Sequence, residues 1–253
     1  PSVEKDLSEG LLEHASTDQK DLLRFSHDQI QQAAFSLIPD ESKELVQWSI
    51  GQALVRKLTP DQLSEVMFGA VDLLNSGLDD FTSTHANNSK ELLRLAELNM
   101  AAGERALAIS AFQQAATYLQ KSITFMSDVT GSEDLSWIQH PDFCLKAYQL
   151  YAGSLYCNND FETMKKTLDT IFKYAASKEG RVTAYATLVE AYCARDQFRD
   201  AFNTAFTALK EFGVSFPRKP SQATVIFELI KTKQFMKKYP IEKLHDLLKM
   251  NDP

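Results

Sequence analysis

The chain has 253 residues, 44% of them hydrophobic and 24% charged, a globular composition that excludes a disordered tail and a membrane-embedded bundle. Its net charge of -7 and pI near 5.3 exclude the basic footprint needed to bind nucleic acid or anionic lipid. Three cysteines (Cys144, Cys157 and Cys193) with no CxxC pair give neither a disulfide framework nor a zinc site, and their apolar flanks predict buried free thiols in a reducing, cytoplasmic compartment.

No basic-then-apolar leader opens the chain, and no apolar run approaches the roughly 20 residues that span a bilayer. Taken in order, the first strong helix signal is RFSHDQIQQAAFSLIP, residues 24–39. Ser26 is placed to cap, Gln29 to close a capping box, and Phe25 with Ile30 to staple the entry. Asp28 falls in the first turn, where the helix dipole favours a carboxylate. Ile30, Ala33, Ala34, Leu37 and Ile38 form the expected buried face, which Pro39 ends. On this reading His27 is a first-turn residue.

Val46, Ile50, Leu54 and Leu58 mark the next helix, and Leu63, Val66, Met67, Ala70, Val71 and Leu74 the one after. Between them, Thr59-Pro60-Asp61-Gln62 reads as an N-cap, a first-position proline and a capping box. A polar loop follows at 75–89. Helix pairs are then expected at 90–107 with 110–126, 141–157 with 161–175, 179–195 with 198–212, and about 221–238 with 240–249. The longest break is expected at 127–141.

Three of the pairs superimpose. Gly103, Ala106, Phe112, Ala115, Leu119 and Ser122 match Ala152, Leu155, Phe161, Met164, Leu168 and Ile171. Leu188, Val189, Tyr192, Phe198, Ala201, Ala205 and Ala208 repeat the pattern. Small residues let antiparallel helices approach, and larger ones fill the seam to the next pair, so the expectation is an all-α chain of antiparallel helix pairs stacked in a superhelix. The pattern resembles degenerate tetratricopeptide (TPR) repeats.

Catalytic signals are missing from the sequence. It has no Gly-rich phosphate loop, no HExxH and no GxSxG, and its five histidines are scattered without metal-ligand spacing. The expectation is therefore no catalytic residue, no metal and no cofactor of its own. Tyr148, Tyr151, Tyr156, Tyr185 and Tyr192 lie on the repeat helices and are weak candidates for contacting a partner; packing between repeats is the competing role.

RFSHDQIQQAAFSLIP resembles the segment that follows the STAND-class P-loop ATPase core in large proteins joining a serine/threonine-kinase-like domain, that ATPase, a helical-repeat region, and GAF and histidine-kinase modules. The likeness continues through IGQALVRKL (50–58), VDLLNSG (71–77), LNMAAGERALAISAFQQAATYLQKSITFM (98–126), SW (136–137), ALKEFGVSFP (208–217) and IEKLHDLLKMNDP (241–253). It departs from the family at Leu248-Lys249-Met250 and at an insertion-like THANNS.

The resemblance implies that residues 1–39 are the C-terminal end of a winged-helix-like segment and 40–253 a TPR-like domain of a longer protein. It implies that His27 touches the phosphate of ADP held by an upstream ATPase domain, as the histidine of the "M-H-D" motif does in related ATPases. It further implies a non-catalytic sensor or scaffold that binds a protein partner or small effector and relays to ATPase and kinase domains. A free-standing TPR-like adaptor, or the repeat domain of a maltose-activator-type regulator, are the alternatives.

Overall fold

A computed structural model describes residues 12–14, 23–77, 89–217 and 220–239. The expected helix at 240–249, most of the 75–89 loop, His85 and His245 lie outside the described residues. The chain divides into one unit up to Ala191 and a second from Tyr192 onward.

The described residues are almost entirely helical. Two short strands, β1 (Leu12–His14) and β2 (Leu23–Phe25), pair antiparallel with Leu12 opposite Phe25. Eleven helices follow among the described residues: α1 (Asp28–Ser36), α2 (Asp40–Lys57), α3 (Pro60–Ser76), α4 (Ser89–Ala108), α5 (Phe112–Thr130), α6 (Glu133–Gln139), α7 (Pro141–Cys157), α8 (Phe161–Tyr174), α9 (Glu179–Ala194), α10 (Phe198–Glu211) and α11 (Gln222–Lys238).

In the first unit α2 packs with α3, α4 with α5, and α7 with α8; each pair meets the next through α3–α4, α5–α7 and α4–α7 contacts. This is an all-α helical-repeat arrangement. The core holds the positions that align between repeats: Ala106, Ala115 and Leu119 in one pair, Ala152, Met164, Leu168 and Ile171 in the next, all at most 1% exposed. Glycines mark the closest approaches within pairs. A Cβ on Gly51 of α2 would sit 2.8 Å from Leu74 of α3, and one on Gly103 of α4 would sit 2.6 Å from Leu119 of α5.

Polar groups fix the register. The Asn75 and Asn99 amides exchange two 2.9 Å hydrogen bonds between α3 and α4, and Asn99 is fully buried. The Tyr118 hydroxyl donates to Asp72 at 2.8 Å, and burial with that carboxylate pushes its pKa up to about 12. Ser122 donates to the Ala96 carbonyl at 2.8 Å.

One turn recurs that the sequence gives no glycine to announce. Ser110, Asn159 and Asp196, each two residues before Phe112, Phe161 and Phe198, have φ of 61, 59 and 58°. In each turn two backbone bonds close the helix end: Ser110 N to Leu107 O with Ala111 N to Ala106 O, and their equivalents at Asn159–Asp160 and Asp196–Gln197. This is the Schellman arrangement, built three times on left-handed residues other than glycine.

Five sequence expectations change. Ser26 is not the cap of α1: His27 is, its Nδ1 accepting from the Gln29 N–H at 3.3 Å. With the cap one residue later, Phe25 and Ile30 leave the staple positions. The expected apolar face of α1 is not buried, since none of its residues is and Leu37 is 84% exposed. On α2 the buried stripe is Trp48, Gly51 and Gln52 rather than the Val46–Ile50–Leu54–Leu58 line; Ile50 is exposed. Gly51 explains the rotation, because its missing side chain lets α3 approach that face. The break at 127–141 is largely helical: α5 continues to Thr130, turns at Gly131 (φ 87°), and α6 follows, capped by Ser132. Of the cysteines only Cys144 is buried; Cys157 and Cys193 are exposed, and all three are free.

Candidate functional site

Two places gather side chains with chemistry to offer. The first is the start of α1. His27 holds extended backbone (φ -150°, ψ 140°) and spends Nδ1 on the Gln29 N–H. In the neutral ring that assignment leaves the proton on Nε2, which is exposed and can donate outward. The helix end itself is poorly disposed toward an anion. The Ile30 and Gln31 N–H groups already bond the His27 carbonyl, and Asp28 adds a carboxylate in the first turn.

The second place is a cleft between α2 and α4 that sequence reading did not single out. Trp48, Gln52 and Arg56 follow one another at intervals of four on α2 and so share a face. Lys90, Arg94 and Glu97 line α4 opposite, with Glu91 and Leu93 beside them. Two adjoining hollows, of about 390 and 530 Å³, share Arg56 and open to solvent.

The floor of this cleft is polar and ordered. Gln52 is buried; its amide donates to Glu91 Oε1, while its own oxygen accepts from Arg94 Nη1 at 3.4 Å. Arg94 and Glu91 are also 3.8 Å apart as an ion pair. Glu91 is thus occupied twice, whereas Arg56, Lys57 and Lys90 on the rim have no ion-pair partner among the described residues. The sequence signal was present in the four-residue spacing of Trp48, Gln52 and Arg56, but a tryptophan beside polar residues does not score as an apolar stripe.

Three of the five tyrosines have packing roles in the first unit. Tyr148 is buried, its ring 5.2 Å from Trp137 and its hydroxyl donating to Glu133; burial, then the hydrogen bond and charge of Glu133, raise its pKa far above the usual phenol value. Tyr151 packs against the Ala106, Ala115 and Leu119 cluster, and burial followed by Asp160 raises its pKa. The Tyr185 ring lies 4.6 Å from that of Phe172, joining α9 to α8. Tyr156 and Tyr192 are half-buried. None of the five lines the α2–α4 cleft.

Helix α6 is held by the same aromatic cluster. Trp137 stacks on Tyr174 at 5.7 Å, and the Tyr174 hydroxyl donates to Asp134. The Trp137 Nε1 is buried and has no hydrogen-bond partner among the described residues. Cys144 sits nearby with its thiol pKa pushed up to about 11, by burial first and Glu133 second, which makes it a poor nucleophile at neutral pH. Among the described residues no three His, Cys, Asp or Glu side chains cluster to hold a metal ion, and no helix is long and apolar enough to cross a membrane.

No family profile matches the chain, and no solved structure does. It is similar to Hybrid signal transduction histidine kinase G of Dictyostelium discoideum, 25% identical over 254 aligned positions. That alignment takes in 91% of this chain and 7% of the relative, so the chain spans a small part of the curated protein it matches.

Proposed function

We propose that the chain is a non-catalytic helical-repeat region of a signalling protein, binding a partner or effector on its helices and relaying that occupancy to ATPase and kinase modules of a parent chain. The observation that carries the reading is the likeness, along 91% of the chain, to a short stretch of a hybrid histidine kinase. The stacked pairs support it, because a rigid stack of helices offers an extended surface while leaving chemistry to other domains. TPR-like repeats, a STAND-class ATPase upstream and a cytoplasmic setting belong to the same proposal.

In this reading β1, β2 and α1 are the end of a winged-helix-like segment. A hairpin leading into a helix capped by histidine suits such a segment. His27 would cap α1 through Nδ1 and donate through Nε2 to the phosphate of ADP bound in the upstream domain. The two uses are compatible because they engage opposite nitrogens. Ligand on the helical stack would then bias a closed, ADP-holding arrangement against an open one, by no more than its differential affinity for the two.

The test is made in the full-length protein. Histidine autophosphorylation and ADP release are measured for the parent and for His27→Ala. The expected result is faster ADP release and higher basal phosphorylation. Unchanged ADP release with a stability loss of about 1 kcal/mol, the scale of a helix cap, would sink the nucleotide role. A full-length chain with no P-loop and no histidine-kinase core would sink the wider reading and leave a free-standing adaptor.

A further inference from the structure

We infer that the α2–α4 cleft is a docking site for an acidic peptide segment of a partner protein, with aliphatic residues between its carboxylates. The inference rests on the reading above and names the kind of partner. Three observations lead to it.

The first is charge complementarity set against the whole chain. The protein carries a net charge of -7, so its average surface repels acidic ligands. The cleft reverses this locally: Arg56, Lys57, Lys90 and Arg94 line it against Glu91 and Glu97. Glu91 is already engaged by Gln52 and Arg94, so its charge is partly used within the floor. Arg56, Lys57 and Lys90 are exposed and without ion-pair partners among the described residues.

The second is the preorganised floor. Gln52 is fixed by Glu91 and Arg94 acting across the two helices, which holds the Arg94 guanidinium in place before a ligand arrives. A guanidinium held this way still has N–H groups to give a carboxylate, and little side-chain entropy left to lose.

The third is shape. The first hollow is lined by α2 alone and the second by α4 with Arg56; they share Arg56, and both open to solvent. Enclosed small-molecule sites bury most of their ligand. An open trough with cations on its rim and apolar surface from Trp48, Ala53 and Leu93 fits a chain that lays acidic and aliphatic side chains along it.

Trp48 lines the cleft and supplies the readout. The 253-residue chain is titrated with a 12-residue peptide alternating Glu and Leu, following tryptophan fluorescence at low and physiological salt; the same peptide with Gln for Glu, and sodium triphosphate, are the comparisons. Saturable binding of the Glu peptide is expected, weakening as salt rises, with the Gln peptide bound roughly tenfold or more weakly. The double variant Arg56→Glu, Lys57→Glu should lose at least about tenfold in affinity while helicity and melting temperature stay put, and Arg56→Lys should keep most of it. Equal binding of the Gln peptide, equal binding by the charge-reversed variant, or no saturable signal would overturn the proposal. Triphosphate binding as tightly as the Glu peptide would also overturn it, in favour of a small-anion site. Because this titration involves neither nucleotide release nor phosphorylation, its failure leaves the relay reading standing, whereas failure of the relay reading shows in ADP release and phosphorylation, so the two failures are told apart.

Discussion

Helices α8 and α10 are both 14 residues long, open on a phenylalanine, and follow the same left-handed turn, yet one is buried and the other is largely uncovered. On α8 the aligned positions hold Met164, Leu168 and Ile171, each at most 1% exposed. On α10 they hold Ala201, Ala205 and Ala208, of which only Ala201 is buried, while Phe198 and Phe202 are 54% and 65% exposed. Farther on, α11 exposes Ile226, Phe227, Leu229 and Ile230 around its circumference, a pattern ordinarily found on a helix enclosed by neighbours. The contrast separates two things. Turn chemistry and periodicity are local and repeat faithfully; burial depends on what stands opposite and does not.

The largest test of that contrast is truncation on each helix. Leu168→Ala should cost about 2–5 kcal/mol in a urea melt, the range for emptying a closed core site. Phe202→Ala should stay within about 0.5 kcal/mol, as at a surface position. If the two variants lost stability equally, the division into covered and uncovered helices would be wrong.

Glycines sharpen it further. Gly103→Ala drives a methyl into Leu119 and should cost about 1–3 kcal/mol. Gly153, also inside a helix, has open space where its Cβ would go. Gly153→Ala should therefore gain roughly 0.5–1 kcal/mol from helix propensity alone. Thermal melts of the two variants should move in opposite directions.

A smaller effect follows from Tyr118. Its folded pKa, about 12, lies above the ordinary value of 10.0, because burial and Asp72 disfavour the phenolate. The stability tied to the neutral phenol is fully present below pH 10 and drains away as the pH rises toward about 12. Tyr118→Phe should cost about 1 kcal/mol at neutral pH, for the lost bond to Asp72, and should flatten the alkaline limb of the stability profile.

The smallest change is expected at the repeated turn. Ser110 pays for a left-handed backbone that glycine adopts freely, so Ser110→Gly should gain up to about 1 kcal/mol. Asn159→Gly should gain less, because asparagine tolerates this conformation better than serine. Equal gains at both sites would argue that side-chain identity does not set the strain.

The site was less legible than the fold. His27 stands out in the sequence, but residue preference places the α1 cap at Ser26, one residue before the histidine that forms it. A histidine acceptor at a cap is unusual enough that residue preference points to the serine. The α2–α4 cleft went unseen because its parts lie 39 and 42 residues apart in the chain, as in Gln52 to Glu91 and Gln52 to Arg94. Nothing in either segment alone brings a glutamine, an arginine and a glutamate together.

By itself, the sequence determined the helices, most of their ends and the seams of the repeats, since spacing, capping and small-residue placement act within a turn or two of the chain. Thr59 and Gln62 formed their capping box, and the aligned positions from Gly103 to Ile171 entered the core except Phe112 and Phe161, which are half-buried. Tertiary structure alone decided which face of α2 turned inward, that α1 would leave its apolar face open, and that Arg56 of α2 and Lys90 of α4 would line one hollow. Those outcomes depend on the partner surface opposite each helix. A glycine such as Gly51 steers them by being absent in volume, which no hydrophobic pattern can register.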